Sequence, residues 1–402
     1  MKVVFVNRFF HPDHSATSQL LSDLAFFLVV QGLQVTIITS RQIYDDPIAK
    51  LAANEVIRGV NVRRVWTSRF GRQRLWGRAL DYLSFYFAAG RCLLRTVRTG
   101  DIVVAKTDPP LISVVACVVT KLRGASLINW IQDLFPEVGT ALKVRGVRFV
   151  DRPLRLLRNA SLRAARRNVV LGELMARRLA AQGVREDSTS VIHNWSDEAH
   201  IWPIDRDKNP LRKEWGLKKK FVVGYSGNMG RAHEFETIID AAELLKDKEG
   251  LRFLFIGGGA QADHIARESE RRGLCNVIFK PYQPRDKLSF GLGVADVHLI
   301  SLQPDLEGLI VPSKFYGIAA AGRPTIYIGA RDGEIPAILK RAACGITVEP
   351  GQGGELARRI EELSGDQSTL ARLGQNARSL FDREFSKSHA LAKWRAVIDG
   401  VK

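Results

Sequence analysis

Short runs rich in aliphatic residues recur along this chain, too short for helices and mostly without polar alternation. Most are followed by a longer stretch with apolar residues at spacings of three and four. Strands apolar on both faces occur where helices cover both faces, so the alternation confines the chain to α/β units built on parallel sheets. The runs fall at residues 3–6, 35–39, 60–66, 102–105, 127–131, 169–171 and 191–193, then at 221–226, 253–256, 277–279, 297–301, 325–328 and 346–348. A chain of 402 residues exceeds one compact core and suits two domains. Residues 198–220 are polar, contain Pro203 and Pro210 and end in a lysine run, and read as the linker. The expected division is a doubly wound unit over 1–200, a second over 201–375, and terminal helices over 376–402.

Two loops of the second unit have the pattern of a phosphate site. In segment 306–325 (LEGLIVPSKFYGIAAAGRPT) Pro312 and Ser313 open a short helix that Gly322 closes. Serine is a good N-cap and glycine a good C′ residue. A helix start just beyond a parallel strand leaves backbone N–H groups facing outward, which suits a phosphate, and Lys314 adds a full positive charge. The other loop follows the strand at 221–226. Gly227-Asn228-Met229-Gly230 is a turn of little bulk, Arg231 follows, and Phe235, Ile238, Ile239, Ala242 and Leu245 mark one face of a helix. Strand-to-helix turns use glycine for structural reasons alone. Two such loops in one domain, each with a cation, point instead to one diphosphate and so to an enzyme of nucleotides or nucleotide-sugars.

The composition, 46% hydrophobic and 25% charged, is that of a folded soluble chain. The net charge of +18 lies mostly in the first half: residues 1–200 carry 29 Lys and Arg against 16 Asp and Glu, and residues 201–402 carry 31 against 26. From Arg58 to Arg98 there are ten arginines and one interior acid, Asp81, interleaved with Trp66, Phe70, Trp76, Tyr82, Phe85, Tyr86 and Phe87. A second arginine-rich run spans 145–167. Such residues suit the anionic headgroup layer of a membrane. A solvated helix face over core aromatics, or a nucleic-acid surface, would use the same types, and nucleic acid ranks last. Cys92, Cys117, Cys275 and Cys344 have no metal or redox spacing and read as core thiols of a reducing compartment. No run reaches the length of a membrane span, and a strand opening at residue 3 leaves no signal peptide ahead of it. No metal cluster stands out. Asp205-Arg206-Asp207 has D-x-D form but lies in the linker, with no strand before it.

Several motifs carry a family likeness: Phe10-His-Pro-Asp-His-Ser-Ala-Thr17, Trp130-Ile-Gln-Asp-Leu-Phe-Pro-Glu137, His193-Asn-Trp-Ser-Asp197, Tyr225-Ser-Gly-Asn-Met-Gly-Arg231, Phe255-Ile-Gly-Gly-Gly259 and the 306–325 segment. Through them the chain resembles the retaining glycosyltransferases of the GT-B fold, in the large family that includes sucrose synthase and many bacterial polysaccharide enzymes. Within it the likeness is to the aminosugar and colanic-acid type. The resemblance implies two facing Rossmann-like domains with a cleft, the donor held mainly by the C-terminal domain and the acceptor by the N-terminal one. It implies a terminal helix that crosses back, which suits 376–402. A nucleotide-diphosphate-sugar, most commonly a UDP-sugar, would be a substrate, with no cofactor and no metal. The acceptor would be a polyprenyl-diphosphate-linked saccharide, used for exopolysaccharide, capsule or O-antigen. The enzyme would be cytoplasmic and peripheral on the inner face of a bacterial inner membrane.

The family's two glutamates, separated by seven residues, should fall at Leu309 and Gly317 when anchored on Pro312-Ser-Lys314, and neither position is acidic. Glu307 is near the first but out of register, and the second is the one that holds the ribose in relatives. The departure keeps open a catalytically silent nucleotide-sugar-binding assembly subunit, beside a transferase with a soluble acceptor. By the resemblance, Arg231 and Lys314 oppose charge on the leaving phosphate, assisted by amides of Gly230 and Ser313. Gly227, Asn228, Tyr282, Glu307, Leu309, Val311 and Pro312 complete the donor side, with Tyr282 presenting backbone to the base. Asp133 stands where relatives carry a residue near the reacting sugar, and Glu137 is close by; either can equally be a loop or capping carboxylate. His11 and His14 follow strand one, where relatives approach the phosphates. Thr17 and Ser18 are placed to cap the next helix.

Overall fold

The computed structural model describes residues 2–401 except 44, 45, 47, 48, 50, 72–74 and 145. It divides into two units, Met1–His193 with Leu391–Lys402, and Asn194–Ala390. The first is built on β1 (Lys2–Val6), β2 (Gln34–Ser40), β3 (Asn54–Ile57), β4 (Val60–Val65), β5 (Ile102–Lys106), β6 (Ser126–Trp130), β7 (Arg167–Val170) and β8 (Thr189–Val191), in the order β3-β4-β2-β1-β5-β6-β7-β8. Its helices are α1 (Ala16–Val30), α2 (Leu75–Thr96), α3 (Ile112–Arg123), α4 (Glu137–Ala141), α5 (Val147–Ala164) and α6 (Glu173–Ala180). All pairings are parallel but one: β3 joins β4 as an antiparallel hairpin. The sequence reading has no strand there, because Arg58-Gly59 is not a standard hairpin signal. Both residues nevertheless take positive φ, 49° and 81°, as a tight two-residue hairpin turn demands.

The second unit has six parallel strands, β9 (Phe221–Asn228), β10 (Leu251–Gly258), β11 (Val277–Lys280), β12 (Val297–Ser301), β13 (Thr325–Ile328) and β14 (Gly345–Val348), ordered β11-β10-β9-β12-β13-β14. Around them lie α7 (Pro210–Glu214), α8 (Glu236–Leu244), α9 (Ala262–Arg271), α10 (Leu288–Gly293), α11 (Lys314–Ala320), α12 (Glu334–Ala342), α13 (Gly353–Gly365) and α14 (Gln367–Leu380), while α15 (Lys387–Asp399) starts in this unit and belongs from Leu391 to the first. In both sheets the chain starts in the middle, winds to one side and then to the other. The reversals lie between β1 and β5 and between β9 and β12. Loops leave adjacent strands in opposite directions at such a reversal, which opens a crevice at the carboxyl ends of those strands.

Residues 198–220 are part of the second unit rather than a linker. Leu211, Arg212 and Leu217 are buried, and the Arg212 guanidinium grips Asp296 at 3.1 and 3.2 Å and donates to the Val294 carbonyl at 2.8 Å. Asp296 in turn accepts the Val222 amide at 2.8 Å. The segment looks polar in sequence because its anchor is a buried ion pair. Asp205-Arg206-Asp207 is a turn in which Asp205 accepts the Asp207 amide at 2.9 Å. The terminal boundary differs as well: residues 376–390 belong to the second unit, and only those from Leu391 belong to the first. There Trp394 packs on Trp130 at 4.6 Å between ring centroids, and Arg395 donates to the Gln31 carbonyl at 3.3 Å. Removing one partner of a buried pair strands the other charge, so Asp296→Ala should cost about 3–5 kcal/mol. Chemical denaturation of wild type and variant checks this, and a loss below about 1 kcal/mol would remove the pair from its anchoring role.

Candidate functional site

The loop after β9 and the start of α11 meet at the carboxyl edge of the second sheet, at its β9/β12 reversal. Lys314 reaches back along β9: its ammonium donates to the Tyr225 hydroxyl, lies 3.8 Å from the centre of the Tyr225 ring, and is 3.4 Å from the Asn228 carbonyl. A Cβ on Gly227 would stand 3.7 Å from Lys314 Cε. No carboxylate pairs with Lys314 among the described residues, and burial lowers its pKa to about 7. Arg231 is exposed, three residues beyond Asn228 in the loop that Lys314 touches. Gln303, which follows β12, ties the two loops together. Its side-chain amide donates to the Arg231 carbonyl at 2.9 Å and its backbone N–H to the Ala232 carbonyl at 2.9 Å.

Glycines let this corner close. Gly227 and Gly257 are paired across β9 and β10, with φ of 118° and 131°. A Cβ on Gly257 would overlap the Gly227 carbonyl oxygen, and one on Gly259 would overlap Asn228 Oδ1. The Asn228 side chain is thereby folded between Gly230 and Gly259. The amides of Gly230 and Arg231, and those of Ser313 and Lys314, donate to no protein acceptor among the described residues. Tyr282 lays its exposed ring over Gly257 and Gly258 and donates to the Gly258 carbonyl at 3.2 Å. Behind the loop, His233 is held neutral: burial and the nearby Lys314 charge lower its pKa to about 3, against its 2.5 Å bond to the Ser301 carbonyl.

Other expected donor-side residues sit differently. Glu307 is buried with its carboxylate turned inward, accepting from the Tyr327 hydroxyl and, at 3.3 Å, from the Glu334 amide. It latches its loop to the start of α12, and burial raises its pKa. The side chains of Leu309, Val311 and Pro312 are buried, so this stretch offers backbone alone. Ser313 occupies the position before α11 but its hydroxyl caps nothing, because its backbone is already helical. Gly322 closes the helix as the sequence suggests. Its φ is 64°, its N–H reaches Ala319, and the Arg323 N–H reaches Ile318, a Schellman pairing.

In the first unit the carboxyl ends of β5 and β6 carry a second cluster. Lys106 is fully buried, and its Nζ lies 3.3 Å from the centre of the Trp130 ring with no hydrogen-bond partner among the described residues. Burial holds its pKa well below the ordinary lysine range, opposed by Asp108 and Asp133. Asp133 has surface open to solvent, yet protein crowds its carboxyl. That burial first, then the Asp108 charge, raise it to about 6 while Lys106 lowers it. Glu137, by contrast, is fully engaged by Arg158 at 2.6 and 2.8 Å and by Gln182 at 3.1 Å, and serves packing. His14 is exposed. His11 packs edge-on against Phe26 at 5.9 Å, and burial with the Arg58 charge lowers its pKa. Thr17 and Ser18 are inside α1 rather than capping it; Ser15 holds the cap position and its amide donates to Asp13 at 2.9 Å. No group of three or more His, Cys, Asp or Glu among the described residues is placed to hold a metal ion.

Comparison with known proteins decides what such an arrangement belongs to. Residues 18–195 match the glycosyl transferase 4-like domain, and residues 207–380 match glycosyl transferases group 1. The chain belongs to the group 1 glycosyltransferases. It is 29% identical to the probable glycosyltransferase WbjE of Pseudomonas aeruginosa over 335 residues, 82% of each chain. It is 30% identical to the putative colanic acid biosynthesis glycosyl transferase WcaI of Escherichia coli K12 over 212 residues, 50% of this chain and 51% of that one. The structure of Anabaena HepE in complex with UDP superposes with a TM-score of 0.76 at 15% identity, covering both chains completely, which shows the GT-B fold.

Several residues of this glycosyltransferase escaped the sequence reading. Tyr225 and His233 look like ordinary core and loop residues until the strand order puts them under Lys314. Lys106 did leave a signal: a lysine that ends the wholly apolar run of β5 must bury its amine or bend away. An unfolded lysine keeps its proton to about pH 10.4. Lys106 releases it earlier when folded, so the unfolded state binds more protons in between, and stability there rises with pH. Lys106→Met should therefore be no less stable than wild type at pH 7 and should lose that rise. Thermal melts from neutral to alkaline pH decide it. An unchanged pH slope in the variant would show that this amine is not the group responsible.

Proposed function

We propose that this glycosyltransferase moves a sugar, with retention of anomeric configuration and without a metal ion, from a nucleotide-diphosphate-sugar to a polyprenyl-diphosphate-linked saccharide. The observation that carries the reading is the joining of two cation-bearing loops at the β9/β12 reversal: Lys314 seated on Tyr225, and Arg231 tied in through Gln303. Charge accumulates on the leaving diphosphate as its bond to the sugar lengthens. Unpaired backbone amides and cations already in place stabilise that charge without reorganising. A UDP-sugar is favoured as donor, because HepE, which shares the fold, was solved with UDP. The name of WcaI, a putative colanic acid biosynthesis transferase, supports a place in surface polysaccharide synthesis, and the work would be done at the cytoplasmic face of a bacterial inner membrane. The first unit would take the acceptor, and the second unit would take the donor.

Glu307 turned inward, and Gly317 walled by Leu292, Ser196 and Ile201, leave no carboxylate at the two family positions. That favours the alternative of a silent nucleotide-sugar-binding subunit, which transfer or donor hydrolysis separates from the enzyme. Lys314→Ala and Arg231→Ala should each lower turnover by ~10²–10³. Near wild-type rates in either would strike that residue from the mechanism. The anomeric configuration of the product, read by proton NMR, tests retention, and activity after exhaustive chelation tests metal independence.

The lowered pKa of Lys314 makes a separate prediction. The empty site loses the proton above about pH 7, and a bound diphosphate restores it. Calorimetry of UDP binding at pH 8, in buffers of different ionisation heat, should show proton uptake that Lys314→Met abolishes. Equal heats in all buffers would contradict the assignment.

A further inference from the structure

We propose that α2, α3 and α5 of the first unit form one face that docks on an anionic lipid bilayer. This rests on the lipid-linked acceptor for its purpose, but its observations stand apart from the donor site. Helix α2 carries large apolar residues on two opposite sides. Phe85, Ala89 and Leu93 are buried, while on the opposite side Trp76, Leu80, Leu83 and Phe87, spaced by four, three and four, face solvent, with Trp76 84% and Phe87 75% exposed. Helix α5 is inverted. Its inner side holds Arg158, Asn159 and Ser161 beside Leu162: Arg158 donates to Glu137, Asn159 and Gln182, and Ser161 to the Ser113 carbonyl. Its outer side presents Phe149, Val150, Leu156 and Leu157, with Phe149 90% and Leu156 67% exposed. A helix that buries Arg158, Asn159 and Ser161 while Phe149, Leu156 and Leu157 face solvent is built for an apolar neighbour.

Helix α3 joins the two. It crosses α2 where Gly90 leaves room for Val115, accepts the Ser161 hydroxyl of α5 at 3.0 Å, and exposes Val118 and Leu122. Cations ring these stripes: Arg91 and Arg95 on α2, Lys121 and Arg123 on α3, and Arg152 and Arg163 on α5 are all exposed. The only acids of the three helices are Asp81 and Asp151. Asp81 is buried under the Phe70 and Gly71 amides, and Asp151 pairs with Arg155 and Thr140. Arg72, Arg74 and Arg145 of the two arginine runs lie outside the described residues. A second copy of the chain would set arginine against arginine across such a face. A bilayer neutralises them with lipid headgroups while the apolar stripes enter the acyl boundary.

The test is sedimentation of the full chain with vesicles of equal parts phosphatidylglycerol and phosphatidylethanolamine, against phosphatidylcholine vesicles, at low salt. The expected result is binding to the anionic vesicles that weakens with salt. Arg152→Gln with Arg163→Gln should weaken it by about thirtyfold, and Phe149→Gln with Leu156→Gln by at least about tenfold. Both double variants should keep the thermal shift given by UDP, which shows that they are folded. Wild type that ignores anionic vesicles, or variants that bind them as wild type does, would overturn the proposal. So would a concentration-dependent dimer that Phe149→Gln abolishes in a chain that binds no vesicles. Vesicle binding together with absent sugar transfer would leave the docking face standing and sink only the functional reading.

Discussion

The seat of the Lys314 ammonium on Tyr225 organises the second unit. A lysine at the mouth of a helix has its charge set against the positive helix end, an arrangement that proteins favour when an anion is to be shared. Here that charge is held by a ring face, a hydroxyl and a carbonyl, none of which carries a compensating negative charge. Burial then makes the proton easy to lose, and His233 beneath it stays neutral, partly because of the same charge. A diphosphate supplies the missing countercharge. The glycine pair of β9 and β10 matters for the same reason: any side chain at Gly257 would push the Gly227 turn off its strand and move the floor of the site.

The first unit repeats the logic with different residues. Lys106 is another amine held on an aromatic ring, here Trp130 at the end of a wholly apolar strand, without a hydrogen-bond partner among the described residues and with Asp108 and Asp133 as its opposing charges. A polar group kept at such a cost in the interior contributes little to stability, so a functional setting is the economical account of it. Asp133, raised by crowding and by Asp108, is poised to change charge within the range in which enzymes work.

Much of the fold was legible because parallel strands flanked by helices are mostly written as apolar runs, and every run became a strand. The strand that no run announced, β3, follows from an arginine accepting a left-handed backbone at Arg58, which composition does not announce. The polar stretch at 198–220 misled because a buried guanidinium–carboxylate pair looks like solvent-facing sequence until its partner, 84 residues on, is placed. At the site, glycines and cations could be read, since their roles are local. The fates of Glu307 and Glu137 could not: whether a carboxylate faces a ligand or an internal donor depends on Tyr327 and Arg158, each about 20 residues further along the chain. Side-chain direction on α5 was equally hidden, since periodicity gives the stripe but not which stripe faces the core.

The most direct test of the central claim is a crystal structure of the full chain grown with UDP. The account predicts the diphosphate at the β9/β12 reversal, its oxygens within hydrogen-bond reach of Lys314 Nζ and of the amides of Gly230 and Arg231. A diphosphate bound elsewhere on the second unit, with Lys314 still resting on Tyr225 and touching no phosphate, would contradict it.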